Sequence, residues 1–186
     1  MSAAPPLSLP PGRPVHLPGR GTTFVRDLAG PPGAPTVVLL HGWAATADLN
    51  WFPSYEALGR HFRVIALDHR GHGRGIRSRR PFRLADCADD AAAVATELGV
   101  ERFIAVGYSM GGPIAQLAWK RHRDVVSGLV LCATDTRFAR SDPRIQALFG
   151  GMYGLSMAAR LTPPLIRRRV MGDVVTRRLA GSPLGD

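Results

Sequence analysis

The segment GYSMGG, residues 107–112, contains the residue best suited to covalent chemistry. Ser109 lies between Gly107 and Gly111, after the apolar run FIAV and before the sequence PIAQLAWK, which is typical of a helix. A strand that turns at once into a helix holds its middle residue on a tight bend, and flanking glycines remove the side chains that would collide there. We therefore predict that Ser109 is a nucleophile, with the Met110 N–H placed at a helix N-terminus to stabilise an oxyanion. The alternative is a glycine-rich turn with a passive serine.

Two further segments follow apolar runs in the same way. In LLHGWAAT, residues 39–46, the backbone N–H of Trp43 is a second candidate oxyanion donor, supported by Gly42. The alternative there is an ordinary turn in which His41 bonds the loop backbone. The third segment, LDHRGHGRG at residues 67–75, is predicted to be structural and to shape the rim of the site.

The elements that must position these segments alternate between strand and helix. Continuous apolar runs such as TVVLL, residues 36–40, are typical of strands buried on both faces. The alternation from residue 36 to residue 134 predicts an α/β fold, in which a mostly parallel sheet is flanked by helices. The predicted strands are 21–28, 36–40, the start of 63–75, 102–109 and 125–134, and the main helices are 85–100 and 110–122.

The segments HGW, DHRGHG and GYSMGG, in this order on successive strands, resemble the α/β-hydrolase fold. Within it they are most similar to the single-domain esterase, haloperoxidase and lactonase-like branch, over residues 20–135. The resemblance implies a serine hydrolase that acts on an ester-like acyl bond, with no metal and no organic cofactor. It implies that Ser109 is the nucleophile, that Trp43 and Met110 donate the oxyanion-hole N–H groups, and that Gly42, Gly107 and Gly111 support them. A serine here argues against the epoxide hydrolase and haloalkane dehalogenase members, whose nucleophile is a carboxylate.

A serine hydroxyl also needs a positioned base, and the base needs an orienting acid. In the resembling family the chain order is serine, acid, histidine, but no histidine follows His122 in this sequence. Asp135 is the candidate acid, and the alternative is a loop aspartate that caps a turn or pairs with an arginine. His41 is the nearest candidate base, although its HG setting favours a role in the loop. We therefore predict an incomplete triad.

Two explanations of the incomplete triad are open. The one we favour is a chain truncated from a longer hydrolase after its sixth strand. The other is a pseudoenzyme, a non-catalytic protein that binds a ligand or partner without hydrolysis.

The sequence divides into a Pro-rich N-terminal arm (1–20), a hydrolase-like core (21–136) and the start of a helical cap (137–186). The resemblance implies that cap helices fold over the site. The predicted pocket for a small-molecule acyl substrate comprises Tyr108, Phe138, Met152 and Tyr153. The alternatives for the tail are core packing of these helices on the sheet and an amphipathic helix on a membrane surface.

Composition narrows the possible partners. The chain has 186 residues and a formal net charge of +10, and Lys120 is its one lysine among 24 basic residues. The arginines are spread along the chain without a recognisable nucleic-acid motif, so we predict no nucleic-acid partner. No apolar stretch approaches membrane-spanning length, which predicts no stable membrane insertion. Cys87 and Cys132 fall in predicted regular structure and imply no disulfide framework, which favours the cytoplasm. The oligomeric state is not specified by any of these features.

Overall fold

The computed structural model describes residues 9–134 together with residues 150, 151 and 154. The chain divides into two compact units, Met1–Thr136 and Arg137–Asp186. The elements described below belong to the first unit. In the described part of the chain, no helix combines the length and the apolar character that crossing a bilayer requires.

The first unit is built around a single mixed sheet, which has six strands within residues 9–134. The strands are β1 (Gly12–Leu17), β2 (Gly21–Leu28), β3 (Thr36–Leu40), β4 (Arg63–Leu67), β5 (Phe103–Tyr108) and β6 (Val126–Cys132). Their order in the sheet is β1-β2-β4-β3-β5-β6. The pairs β3–β4, β3–β5 and β5–β6 are parallel, whereas β1–β2 and β2–β4 are antiparallel. The predicted mostly parallel sheet is confirmed.

After their first residues, the central strands β3 and β4 are apolar throughout, because both faces of the sheet are covered. In β3, Val38 and Leu40 join one hydrophobic core, while Val37 and Leu39 join another on the opposite face. Successive side chains of a strand point to opposite faces, so a continuous apolar run supplies both cores. The predicted strands 21–28 and 36–40 are confirmed with the same bounds.

Four helices within residues 9–134 cover these faces. They are α1 (Ala47–Trp51), α2 (Tyr55–Gly59), α3 (Leu84–Glu97) and α4 (Gly111–Arg121). Helices α3 and α4 pack on the first core through small apolar residues at helical spacing, which include Cys87, Ala91, Val94, Ile114 and Ala118. The second core contains Trp51 and Tyr55 from the two short helices. Gly99, at φ +65°, follows α3 in the left-handed conformation that commonly ends a helix.

The first strand corrects the prediction of a separate Pro-rich arm at residues 1–20. Gly12–Leu17 pairs with β2, and the side chains of Val15 and Leu17 are buried in the first core. Pro14 is compatible with this pairing because β1 is an edge strand, where a missing N–H breaks no ladder bond on the open side. Residues 12–17 are therefore an edge strand of the sheet and not part of an arm outside it.

The sequence HGWAATADLNW, residues 41–51, predicts a loop throughout, and helix α1 corrects that prediction. The helix begins at Ala47 because the Thr46 side chain caps it: Thr46 Oγ1 accepts a hydrogen bond from the Leu49 N–H at 3.1 Å. Only residues 41–46 remain as a connection between β3 and this helix.

An ion-pair cluster joins the loop after β4 to the rest of the core. Asp90 in α3 is 1% exposed and accepts hydrogen bonds from Arg70 at 2.6 and 2.7 Å and from Arg20 at 2.7 Å. A buried carboxylate needs such partners, because an unpaired charge in the interior is strongly unfavourable. The cluster therefore fixes the loop after β4 against the β1–β2 turn and α3.

Candidate active site

Ser109 lies on the bend between β5 and α4, with a backbone φ of +52°. This left-handed conformation is uncommon for a residue with a Cβ atom and persists only where the surroundings impose it. Here the Ser109 N–H donates to the Cys132 carbonyl at 3.0 Å, and the Ser109 carbonyl accepts from the Gly112 N–H at 3.0 Å and the Thr134 hydroxyl at 2.8 Å. These three bonds hold the bend from β6 and from the first turn of α4.

Two glycines allow the backbone to come this close. A Cβ atom on Gly107 would overlap the carbonyl oxygen of Gly111, and a Cβ atom on Gly111 would overlap the carbonyl oxygen of Leu40. The end of β3, the end of β5 and the start of α4 therefore meet as bare backbone around Ser109. Met110 is the N-cap residue of α4, where the amides of the first helical turn have no intrahelical partner.

The loop after β3 lies directly beside Ser109. The position that a Cβ atom on Gly42 would occupy is 3.3 Å from Ser109 Cβ and 3.3 Å from Tyr108 Cδ1. The cause is the sheet order: β3 and β5 are neighbours, and Leu40 is paired with Gly107. The fold thus brings HGW and GYSMGG together, with Trp43 in the loop that faces the bend.

His41 serves this loop and not Ser109. Its side chain is fully buried, with Nδ1 2.7 Å from the Gly42 carbonyl and Nε2 accepting the His69 N–H at 2.9 Å. A backbone N–H can only donate, so Nε2 is unprotonated and Nδ1–H donates to Gly42. Burial lowers the pKa of His41 to about 4, against the opposing effect of the Gly42 hydrogen bond. These contacts match the predicted alternative, in which His41 bonds the loop backbone, and they argue against a role as base.

The loop after β4 is stabilised by its own buried side chains, in keeping with the structural role predicted for it. Asp68 is fully buried, and its carboxylate accepts hydrogen bonds from the Ala47 N–H and the Arg74 N–H, both at 2.8 Å. The ring of His69 is buried against that of His41, with centroids 4.3 Å apart. Burial lowers the pKa of His69 well below its usual value.

The histidines of residues 9–134 make hydrogen bonds and ring contacts with the following partners. The rings of His41 and His72 contact the loop backbone, His16 contacts Thr22, and His122 contacts Asp89. His61 and His69 make ring contacts with Phe62 and His41 respectively. Among residues 9–134, none of these contacts gives Ser109 a base. In the same part of the chain, no group of His, Cys, Asp and Glu side chains could hold a metal ion.

The predicted pocket residues are only partly described. Tyr108 is 40% exposed, and its ring meets that of Trp51 edge-on at a centroid distance of 6.4 Å. Asp135, Phe138, Met152 and Tyr153 lie outside the described residues, and their predicted roles stay predictions.

Asn50 was missed by sequence reasoning, although it contacts the loop after β3. Its side-chain oxygen Oδ1 accepts a hydrogen bond from the Gly42 N–H at 3.0 Å. Asn50 lies in α1, within the segment that was predicted to be a loop. The available signal was Thr46, a residue type favoured at helix N-caps, which places Asn50 one turn into a helix that follows the HGW segment.

The comparisons with known proteins agree with this geometry. A family model described as the alpha/beta hydrolase fold matches residues 35–169, which is most of the chain. The chain belongs to this family, and the expectation drawn from its three motifs is confirmed.

Individual relatives are named for several hydrolytic reactions. RutD of Caulobacter vibrioides, named as a proposed carbamate hydrolase, is 33% identical over 121 residues, which is 64% of this chain and 44% of RutD. Epoxide hydrolase B of Mycobacterium tuberculosis is 35% identical over 117 residues, covering 60% of this chain and 32% of that protein. The chain thus spans less than half the length of either relative.

A solved structure shows the same fold over more of the chain. The structure of a thermophilic esterase from Thermogutta terrifontis superposes with a TM-score of 0.65 at 28% identity. The match covers 83% of this chain and 56% of the esterase. The family, the fold and a hydrolase class are therefore shared with proteins of known structure.

Proposed function

We propose that this chain carries the nucleophile and the oxyanion hole of a serine hydrolase that cleaves ester-like acyl bonds. The observation that carries the proposal is the conformation of Ser109, at φ +52° on a strand-to-helix bend built from bare backbone. A bend of this kind raises a side chain above the sheet edge and places it next to helix N-terminal amides. A passive serine would not need a conformation that costs on the order of 1–3 kcal/mol.

The proposed reaction is acyl transfer through an ester intermediate. The Ser109 hydroxyl oxygen attacks the substrate carbonyl carbon, its proton passes to a base, and the carbonyl π electrons move onto oxygen. The backbone N–H groups of Trp43 and Met110 stabilise that oxyanion until the intermediate collapses. The leaving group takes the proton back from the base and departs as the neutral alcohol or amine. Water then releases the acyl group by the same steps. We propose Asp135, which lies outside the described residues, as the candidate acid, and we assign the base to none of the six histidines.

The serine itself favours carbonyl chemistry among the reactions that the relatives' names suggest. An ester or a carbamate offers an acyl carbon to a hydroxyl nucleophile, whereas the epoxide hydrolases of this family use a carboxylate. The proposed substrate is therefore a small molecule with an ester-like acyl bond. The partly exposed side chain of Tyr108, next to Ser109 in the chain, supports a place for the substrate beside the bend.

An activity-based probe tests the proposed nucleophile. A fluorophosphonate should label the wild-type protein covalently and should fail to label Ser109→Ala, because phosphonylation requires the activated hydroxyl. Ser127→Ala is the matched control, since Ser127 is an exposed serine in β6, and it should label as well as the wild type. Labelling of both the wild type and Ser109→Ala, or of neither, would count against an activated Ser109.

The second candidate function is a pseudoenzyme that binds a ligand without turnover. The observation favouring it is that the histidine contacts within residues 9–134 lead away from Ser109. Hydrolysis of p-nitrophenyl acetate separates the two functions. Turnover that Ser109→Ala abolishes supports the hydrolase, whereas absent turnover together with absent probe labelling supports the binding protein.

A further inference from the structure

We infer that Asn50 is a positioning residue for the oxyanion hole: its side-chain carbonyl holds the backbone at Gly42 and so directs the Trp43 N–H toward Ser109. The inference rests on the proposed function, since it assigns a task to the same site. It does not make Asn50 a catalytic residue, because Asn50 acts on the substrate only through the loop.

The first anchor is the hydrogen bond from the Gly42 N–H to Asn50 Oδ1, at 3.0 Å. Since a backbone N–H only donates, the asparagine amide must present its oxygen here. This bond fixes the peptide unit that precedes Gly42. It also occupies the Gly42 N–H, and the next amide along the loop is that of Trp43, the proposed oxyanion donor.

The second anchor fixes the peptide unit that follows Gly42. His41 Nδ1–H donates to the Gly42 carbonyl at 2.7 Å from a fully buried ring. The peptide bonds of the described chain are trans, and in a trans unit the C=O and the N–H point to opposite sides. Because the Gly42 carbonyl points at the buried His41 ring, the Trp43 N–H points away from that ring.

Both anchors are needed because the residue between them is glycine. Glycine has no Cβ atom to restrict its dihedral angles, so an unanchored peptide at Gly42 could rotate freely. The space favours glycine, since the position of a Cβ atom there lies 3.3 Å from Ser109 Cβ and 3.6 Å from Asn50 Oδ1. Close approach to Ser109 favours glycine, and a glycine is held in one conformation when side chains bind its two peptide units.

Asn50 is itself held firmly enough to act as an anchor. Helix α1 starts at Ala47, whose N–H donates to the buried carboxylate of Asp68 at 2.8 Å. The helix is therefore tied to the loop after β4, as His41 is through the His69 N–H. Asparagine also suits the position electrostatically, because an aspartate would accept the same bond but place a negative charge near the developing oxyanion.

The test measures probe kinetics in two variants of α1. Asn50→Ala removes the anchor, whereas Thr46→Ala removes the helix cap but leaves the Gly42 hydrogen bond, so it controls for a general weakening of the helix. For a fluorophosphonate, the limiting labelling rate of Asn50→Ala should fall about tenfold, with the half-saturating probe concentration unchanged within about twofold. Thr46→Ala should keep both constants within about twofold of the wild type.

Amide hydrogen exchange supplies a readout that needs no activity. The Gly42 amide should exchange at least about tenfold faster in Asn50→Ala than in Thr46→Ala, since only the former loses its acceptor. An equal limiting rate in Asn50→Ala and the wild type, or equal Gly42 exchange in the two variants, overturns the inference. If the wild type does not label, the proposed function fails on its own. The exchange result then decides whether Asn50 holds Gly42.

Discussion

At the residue scale, the bend at Ser109 depends on atoms that three separate strands contribute. The strained φ is held by bonds to Cys132 and Thr134 at the end of β6 and by the carbonyl of Leu40 packed against Gly111. The pentapeptide predicts a bend, and its glycines mark where backbone must approach backbone. Which carbonyl lies opposite each glycine follows only from the folded sheet.

The first prediction compares two glycines in different surroundings. Gly111→Ala places a Cβ atom against the Leu40 carbonyl, so we expect it to lower the free energy of unfolding by about 3 kcal/mol. Gly128→Ala is the matched control, because its Cβ atom would meet Ile104 at an ordinary 3.6 Å, and we expect no loss or a gain of up to about 1 kcal/mol. Urea denaturation measures both, and equal stabilities would contradict the close packing described for Gly111.

At the element scale, β1 and α1 show what local patterns can and cannot predict. The cap residue Thr46 was visible in the sequence, so α1 could have been found by a helix-start rule. Strand β1 offered no comparable signal, since it carries a proline and its apolar positions are few. It becomes a strand because β2 supplies its hydrogen bonds and the first core takes up Val15 and Leu17.

The second prediction tests whether β1 belongs to the core. Leu17 is fully buried, so Leu17→Ala should lower the free energy of unfolding by about 2–5 kcal/mol through lost burial and a residual cavity. Arg13→Ala, at an exposed position of the same strand, should change it by less than about 0.5 kcal/mol. Chemical denaturation measures the free energy of unfolding of both variants. Similar small effects would mean that residues 12–17 behave as a dispensable arm.

At the scale of the whole molecule, buried histidines make global stability depend on pH. His41 and His69 both have lowered pKa values, chiefly because burial disfavours their charged forms. Between a pKa of about 4 and the usual value of 6.5, the unfolded chain binds a proton at position 41 that the folded protein does not. The contribution of the neutral His41 ring to the free energy of unfolding is therefore complete above pH 6.5 and is lost as the pH falls toward 4.

The third prediction is that the protein loses stability as the pH falls from 6.5 to 4. The free energy of unfolding should fall by about 3 kcal/mol from His41 alone between pH 6.5 and 4, with a further loss from His69. Asp48 and Asp89, whose arginine partners lower their carboxyl pKa values, contribute their loss below this range. Urea denaturation at a series of pH values measures the slope.

A substitution at His41 tests whether this residue causes the dependence of the free energy of unfolding on pH. His41→Asn keeps a donor near the Gly42 carbonyl without a titrating ring, so its stability should fall less steeply over the same range. His16→Asn, at an exposed histidine in β1, is the matched control. A slope in His41→Asn identical to that of the wild type would show that His41 is not responsible.

The sequence by itself determined the layers of the core and the kind of bend at Ser109. Runs such as residues 36–40 and 21–28 match the strands observed, since burial on both faces or on one face sets the pattern of apolar residues. Glycines on both sides of Ser109 similarly indicated a tight strand-to-helix turn. These are local consequences of side-chain shape and hydrophobicity, so a local pattern reveals them.

Only the tertiary structure decided which of these segments meet. The order β4-β3-β5 places Gly42 beside Ser109, and the short helix after β3 returns Asn50 to the Gly42 N–H. It also assigned both ring nitrogens of His41 to the loop backbone. Such contacts join residues from different elements, and their energies depend on the packing of the whole sheet, which no local pattern encodes.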